Sequence, residues 1–266
     1  IRHTRGYGAY VNAGATLSNN TVSDSSDYPV YIPAPVLDNI QFSNNTLSNN
    51  VILIDVGAEV TGAHTWPAWM SNYGLHLSSR LQVASDASLT LPAGMGLRFP
   101  QNQYLTVAGT LIAQGTADQP ITFTANTTQP AAGFWRGLYL NPNSNATLDH
   151  IVVEYAGGSD GTPPLNSGVE IHSANVTLTN STIRHTRGYG AYVNAGATLR
   201  NNTIIHNQIG VYLTAAAALS GNTISGNSGD GIVVASSNPV STHSNSIYGN
   251  AGFGIRNTQP NKPVND

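Results

Sequence analysis

The sequence predicts an all-β solenoid, a chain wound into about a dozen stacked coils of roughly 20–23 residues each. Three observations carry that expectation. A long block recurs verbatim, a shorter period is nested inside it, and charge is depleted in the way that stacked coils require.

Ile1–Leu17 reads IRHTRGYGAYVNAGATL, and Ile183–Leu199 reads the same 182 positions later. The match continues through Asn19, Asn20 and Thr21 against Asn201, Asn202 and Thr203, with only Ser18 against Arg200 changed. Such identity is expected of a piece of a longer array, cut inside a unit of about 180 residues. On this reading residues 1–60 are the closing coils of one unit. Residues 61–266 are most of the next, continuous with the first as one solenoid. The 182 residues amount to about eight coils, so each unit is expected to add whole turns and keep the faces in register.

The shorter period is clearest in the second half. Asn202-Thr203-Ile204, Asn222-Thr223-Ile224 and Asn245-Ser246-Ile247 are spaced by 20 and 23 residues. A glycine followed by apolar, outward and apolar positions comes after each: Gly210-Val-Tyr-Leu, Gly231-Ile-Val-Val and Gly254-Ile-Arg. Gly168-Val-Glu-Ile and Gly190-Ala-Tyr-Val extend that row upstream, and the first copy shows it as Gly8-Ala-Tyr-Val and Pro29-Val-Tyr-Ile. These runs alternate apolar with polar and are split by Gly, Asn and Ser, which is strand patterning, and no window carries a 3.6-residue apolar stripe. A single coil cannot bury its own apolar face, so coils stack at the ~4.8 Å inter-strand spacing.

Stacking accounts for the composition. Only 23 of 266 residues are charged, about 9%, against roughly 25% in ordinary globular chains. Like charges held one strand apart repel by about 1 kcal/mol even in water. Asparagine does the reverse, because stacked amides hydrogen-bond along the ladder. Two asparagine ladders are expected: Asn20, Asn45, Asn202, Asn222 and Asn245 before the β-branched or Leu position, and Asn207, Asn227 and Asn250 at the following turn. A net charge of −3 without basic clusters argues against nucleic acid as a partner. There is no cysteine, hence neither disulfides nor thiolate chemistry. The longest apolar stretches, 51–55 and 209–219, fall short of the ~20 residues of a membrane span.

The middle of the chain carries the most specific strings. Leu89–Phe99 reads LTLPAGMGLRF, Gly109–Thr124 reads GTLIAQGTADQPITFT, Gly133–Leu138 reads GFWRGL, and Leu148–Gly158 reads LDHIVVEYAGG. His64–Trp69, HTWPAW, sits where a unit would begin. On these strings the chain resembles the right-handed parallel β-helix repeat proteins of the pectin-lyase-like fold, over essentially its whole length. The resemblance implies a right-handed parallel β-helix, and tandem units in large secreted or surface-anchored bacterial and archaeal proteins. It speaks to fold more than to activity. Enzymes of this fold use stacked carboxylates on Ca²⁺ with an Arg or Lys base, or the strings N-T-D, D-D, G-H-G and R-x-K. None of those four strings, nor any D-x-D, occurs here.

The candidate residues fall into three sets. In the glycine–apolar–Tyr–apolar signature the apolar neighbours face the core, so the tyrosine points out. Tyr10 and Tyr31 are expected to stack in the first unit, with Glu170, Tyr192, Tyr212, Val233 and Arg256 as the matching column in the next. Three readings of that column stand: a platform for sugar rings, a contact strip for a neighbouring rod, and tyrosine used simply as a strand former. The polar set is His150, Glu154, Glu170, His172, Arg184, His185 and Arg187, which fall on neighbouring coils as a candidate cluster or as a solvated face with ion pairs between coils. The third set is the asparagine ladders, with a structural role. No catalytic residue is assigned. No histidine pairing has metal-ligand spacing, and Ca²⁺ is considered only as an adventitious ligand of turns at Asp24, Asp27 and Ser159-Asp160-Gly161.

The sequence therefore points first to a structural or adhesive module of an extracellular stalk, sheath, filament or adhesin. Its expected partners are neighbouring units or copies of itself end to end. The alternative is a polysaccharide-binding or polysaccharide-degrading protein, a lyase or hydrolase.

Overall fold

The computed structural model describes residues 1–2, 4–55, 59–158 and 166–259. Strand after strand alternates buried and open positions, as in Ser88–Leu91, Tyr104–Val107 and Ile151–Glu154. The buried positions carry Leu, Val and Ile, and together with Trp66, Phe99, Phe123 and Trp135 they fill one core. Every pairing between strands is parallel among the described residues, and three faces wind around that core. The first face is an eleven-stranded sheet, and the second and third are eight-stranded. The chain visits them in rotation: Gly74–Leu77 on the first, Leu81–Val83 on the second, Ser88–Leu91 on the third, and Gly96–Phe99 back on the first. Helical structure among the described residues is limited to three short 3₁₀ turns at Ala34–Asn39, Ser48–Asn50 and Ala68–Asn72.

Corners are made by residues that tolerate left-handed backbone. Asn180, Asn201, Gly221 and Ser244 lie at φ of 50, 57, 66 and 57° at one corner, and His185, His206, Gly226 and Gly249 at 55, 56, 64 and 61° at another. Asn and Gly take this region at least cost, which is why the sequence repeats them there. A different need selects the glycine before each apolar–outward–apolar strand. A Cβ on Gly190 would lie 2.7 Å from the carbonyl oxygen of Gly210 on the next coil, and one on Gly231 would lie 2.6 Å from that of Gly254. The coils approach too closely there for any side chain.

Two expectations need correction. The eleven strands of the first face define about ten coils, not a dozen. Along the first face the spacing of roughly 20–23 residues holds at both ends of the chain but not in the middle. Along the first face Leu97 pairs Phe123 and Phe123 pairs Val153, steps of 26 and 30 residues. On the third face Leu111 pairs Ala146, a step of 35. The surplus residues leave the wall as loops, such as 126–132, and consume chain without adding height.

The same loops overturn the whole-turn reading of the long repeat. Ala9–Tyr10 lies on the first face. Seven steps up that face lead from Ala9 through Val30, Ile52, Leu75, Leu97, Phe123 and Val153 to Ile183. The second copy of Ala9 is Ala191, eight residues further on, within Tyr189–Val193 on the second face. The repeat therefore advances seven coils and one face. Asn19 and Asn201, identical in the two copies, keep φ of 56 and 57° although they stand at different corners of the solenoid.

Candidate functional site

The outward row of the second face runs Thr106, Tyr139, Glu170, Tyr192, Tyr212, Val233 and Arg256, each paired with the next. Val233 is nonetheless buried. The rings of Tyr192 and Tyr212 lie 5.8 Å apart with planes 8° from parallel, and Tyr189 closes a triad at 5.9 and 4.7 Å from them. In the first copy Tyr10 and Tyr31 stack at 4.6 Å and 11°, with Tyr7 at 4.6 Å from Tyr31. The two tyrosine columns occupy different faces, so they form no common column. Near-parallel rings at such distances are offset stacks, and Tyr7 and Tyr10 are exposed. Tyr31 donates to Asp55, and that hydrogen bond, with burial and the carboxylate charge, pushes its phenol well above the usual range.

The polar set lies on neighbouring coils but divides among different places, and forms no single cluster. On the first face Glu154 accepts from Thr124 Oγ1 at 2.9 Å and from Arg184 through Nε at 2.9 Å and Nη2 at 2.7 Å. On the second face Glu170 lies 2.9 Å from His172 Nε2, whose Nδ1 accepts from Asn194 at 3.2 Å, and Asn194 accepts from Thr214 at 2.8 Å. At the corner after the first face His185 stacks between Tyr155 and His206 at 5.4 and 5.5 Å. Burial, Arg184 and His206 hold His185 below the ordinary histidine range. Arg187 lays its stem against Gly133, whose Cβ would meet Cδ at 2.8 Å. His150 stands at the opposite corner, 3.2 Å from Asp149. Burial works against the charge of Asp149, but hydrogen bonds from Asn180 and Thr179, both at 2.8 Å, outweigh it and keep the carboxyl low.

One groove was not foreseen. Asn50, Gly74, His76, Arg98, Asn126 and Thr127 line an open recess of about 630 Å³ on the first face. His76 sits between Leu53 and Arg98 in the outward row, with Tyr28 Oη 3.2 Å from its Nδ1. Burial and the Arg98 charge lower it to about 4, so it is neutral at pH 7. No carboxylate pairs with Arg98 among the described residues. A neutral imidazole beside an open guanidinium offers a proton acceptor next to an anion-binding group.

The model of the right-handed beta helix region matches residues 68–219 and again 109–264. Each match covers more than half of the chain. The chain belongs to the right-handed beta helix family. No curated protein and no solved structure matches it.

In this beta helix the asparagines point inward at two corners. Asn202 donates from Nδ2 to Asn222 Oδ1 at 3.0 Å, and Asn222 donates to Asn245 Oδ1 at 2.8 Å. Each amide also donates to a leucine carbonyl, Leu178 or Leu199, and each Oδ1 accepts the backbone N–H of the coil below. Asn207, Asn227 and Asn250 repeat the pattern at the second corner: Asn207 donates its backbone N–H to Asn227 Oδ1, and Asn227 donates its side-chain amide to Asn250 Oδ1. Asn20 and Asn45 form a separate ladder of two at 3.0 Å. They do not stack with Asn202, because the repeat changes face between them.

Among the described residues no three His, Asp or Glu side chains come together to hold a metal ion. Asp24 is a left-handed corner residue contacted by Ser23 Oγ at 3.3 Å, and Ser159-Asp160-Gly161 lies outside the described residues. Sequence reasoning missed His76, Arg98, Tyr139, Tyr7 and Tyr189. Tyr7 and Tyr189 were legible, three residues before each outward tyrosine. His76 and Arg98 were not, because their recess exists only where loop 126–132 overhangs the wall.

Proposed function

We propose that this beta helix protein is a rigid structural or adhesive module, a stretch of an extracellular rod that joins neighbouring units or further copies end to end. One observation carries the reading. The eleven-stranded face runs from Ala9–Tyr10 to Ser246–Tyr248 and crosses the place where the sequence passes from one unit to the next. A unit is thus built onto its predecessor by the same parallel pairing that holds coils together within it, with no hinge in that sheet. Ten coils at ~4.8 Å make a rod of roughly 50 Å, and the sparse charge suits coils stacked like on like. Small-angle scattering and electron microscopy of the protein test this directly. A rod whose length grows in proportion to the number of units supports it, and units that flex about the junction overturn it. Protease shaving of intact source cells, with the chain detected in the released fraction, tests surface exposure.

The groove at His76 and Arg98 favours a second reading, in which the rod binds or cleaves an acidic polysaccharide. Arg98 would take the carboxylate and His76 the proton. A screen of acidic polysaccharides for binding and for released reducing or unsaturated ends decides it, with Arg98→Gln and His76→Gln as controls.

A further inference from the structure

The tyrosine triads recur with the repeat, but the repeat changes face. Tyr7 and Tyr10 correspond to Tyr189 and Tyr192 across the 182-residue offset, and Tyr31 and Tyr212 follow one coil later. Their geometry is related: Tyr7–Tyr31 and Tyr189–Tyr212 are 4.6 and 4.7 Å apart, and Tyr10–Tyr31 and Tyr192–Tyr212 are near parallel at 4.6 and 5.8 Å. One triad stands on the first face and the other on the second, seven coils or ~34 Å along the axis by strand spacing. We infer that the triads are two copies of one lateral contact surface, and that the chain uses them to bind further copies of itself side by side in two directions. The inference rests on the rod reading above.

Three features point to a second copy as the occupant. Each triad presents a row of phenol rings and hydroxyls at the surface, with Tyr7 and Tyr10 at 37% and 57% exposure, an amphipathic surface of the kind tyrosine supplies at protein interfaces. The row has the period of the coils. A second rod has the same period, so contacts between rows accumulate no mismatch along their length. Finally, a net charge of −3 spread over 266 residues puts little repulsion between parallel rods. A rod with one such strip would pair and stop, because a two-fold contact between like surfaces is closed. A rod with two strips on different faces leaves one free after each pairing, and assembly stays open. Had the unit added whole turns, both strips would lie on one face and a bundle would end at two rods. The change of face thus turns a pairing surface into a sheet- or bundle-forming one.

The chain has no cysteine, so single cysteines report contacts cleanly. Asn12 and Asn194 are the same residue of the repeat, both exposed and each two residues beyond an outward tyrosine, and Ala218 is exposed on the third face. Asn12→Cys and Asn194→Cys should each form intermolecular disulfides under mild oxidation, at least ten-fold faster than Ala218→Cys. In sedimentation velocity the unmodified protein should pass beyond dimers as concentration rises. Tyr10→Thr/Tyr31→Thr and Tyr192→Thr/Tyr212→Thr should each stop at dimers, with unchanged circular dichroism. Rods that stay monomeric at every concentration, equal cross-linking at Ala218→Cys, or one-face variants that still form bundles each overturn the inference. None of these results touches the rod reading, which fails if scattering and microscopy show no rod or show units that flex about the junction.

Discussion

A buried asparagine amide is among the costliest groups to leave unpaired, and Asn222 is paired at every polar atom. It donates to Leu199 and Asn245, and its Oδ1 receives both the backbone and side-chain N–H of Asn202. Asn222→Ala removes the side chain's part in these and strands a backbone N–H and a carbonyl, each at about 1–3 kcal/mol. A loss of about 3 kcal/mol is expected in urea unfolding. Glu154→Gln is the contrast. Its partner Arg184 is 43% exposed, so the loss should stay below about 1 kcal/mol, and a result as large as that at Asn222 would assign Glu154 more than a surface pairing. His76 makes stability depend on pH. The fold lowers its proton affinity from 6.5 to about 4, so the unfolded chain takes up the proton first as pH falls. Stability that is complete above about pH 6.5 is then lost progressively towards pH 4, by about 1–2 kcal/mol once partial exposure is allowed for. His76→Gln should flatten that slope of melting temperature against pH.

At the scale of the strand and its corner, the glycine before each outward residue sets how closely coils approach. Gly190→Ala places a methyl 2.7 Å from the Gly210 carbonyl oxygen and 2.6 Å from Ile204 Cγ2. Neither neighbour can retreat without breaking its own pairing, so a cost above about 2 kcal/mol is expected, read as a drop in melting temperature. Elements of this kind were legible in the sequence. Asn and Gly at 20–23-residue intervals marked turns, and alternation marked which residues of Ala217–Ser220 or Thr223–Ser225 turn inward. The long coils were not legible. A loop such as 126–132 carries Asn, Thr and Pro that also make turns, and only the pairing of Phe123 with Val153 shows that it adds no coil.

At the scale of the whole molecule, coils behave as modules coupled to their neighbours. Deleting residues 202–221 joins Asn201 to Asn222 and restores the Asn-Asn-Thr corner. One 20-residue coil is lost, and each strand above still meets a strand of its own face. That variant should fold cooperatively into a rod shorter by ~4.8 Å. Deleting only 202–211 would bring strands of different faces together, and should abolish the cooperative melt followed by circular dichroism.

The verbatim block shows where the two kinds of information part. Its residues by themselves determined the local structure: a left-handed corner at Asn19 and Asn201, an inward alanine at Ala9 and Ala191, an outward tyrosine at Tyr10 and Tyr192. Those are settled by backbone sterics and by alternation over a few residues, so these positions repeat their conformation in both copies. Which face of the solenoid the block occupies was decided only by the tertiary structure. Face is a running total of the chain consumed by every coil beneath, and the loops of the middle coils shift that total by one face. The winding pairs His76 with Arg98 on the first face and puts Glu154 and Glu170 on different faces.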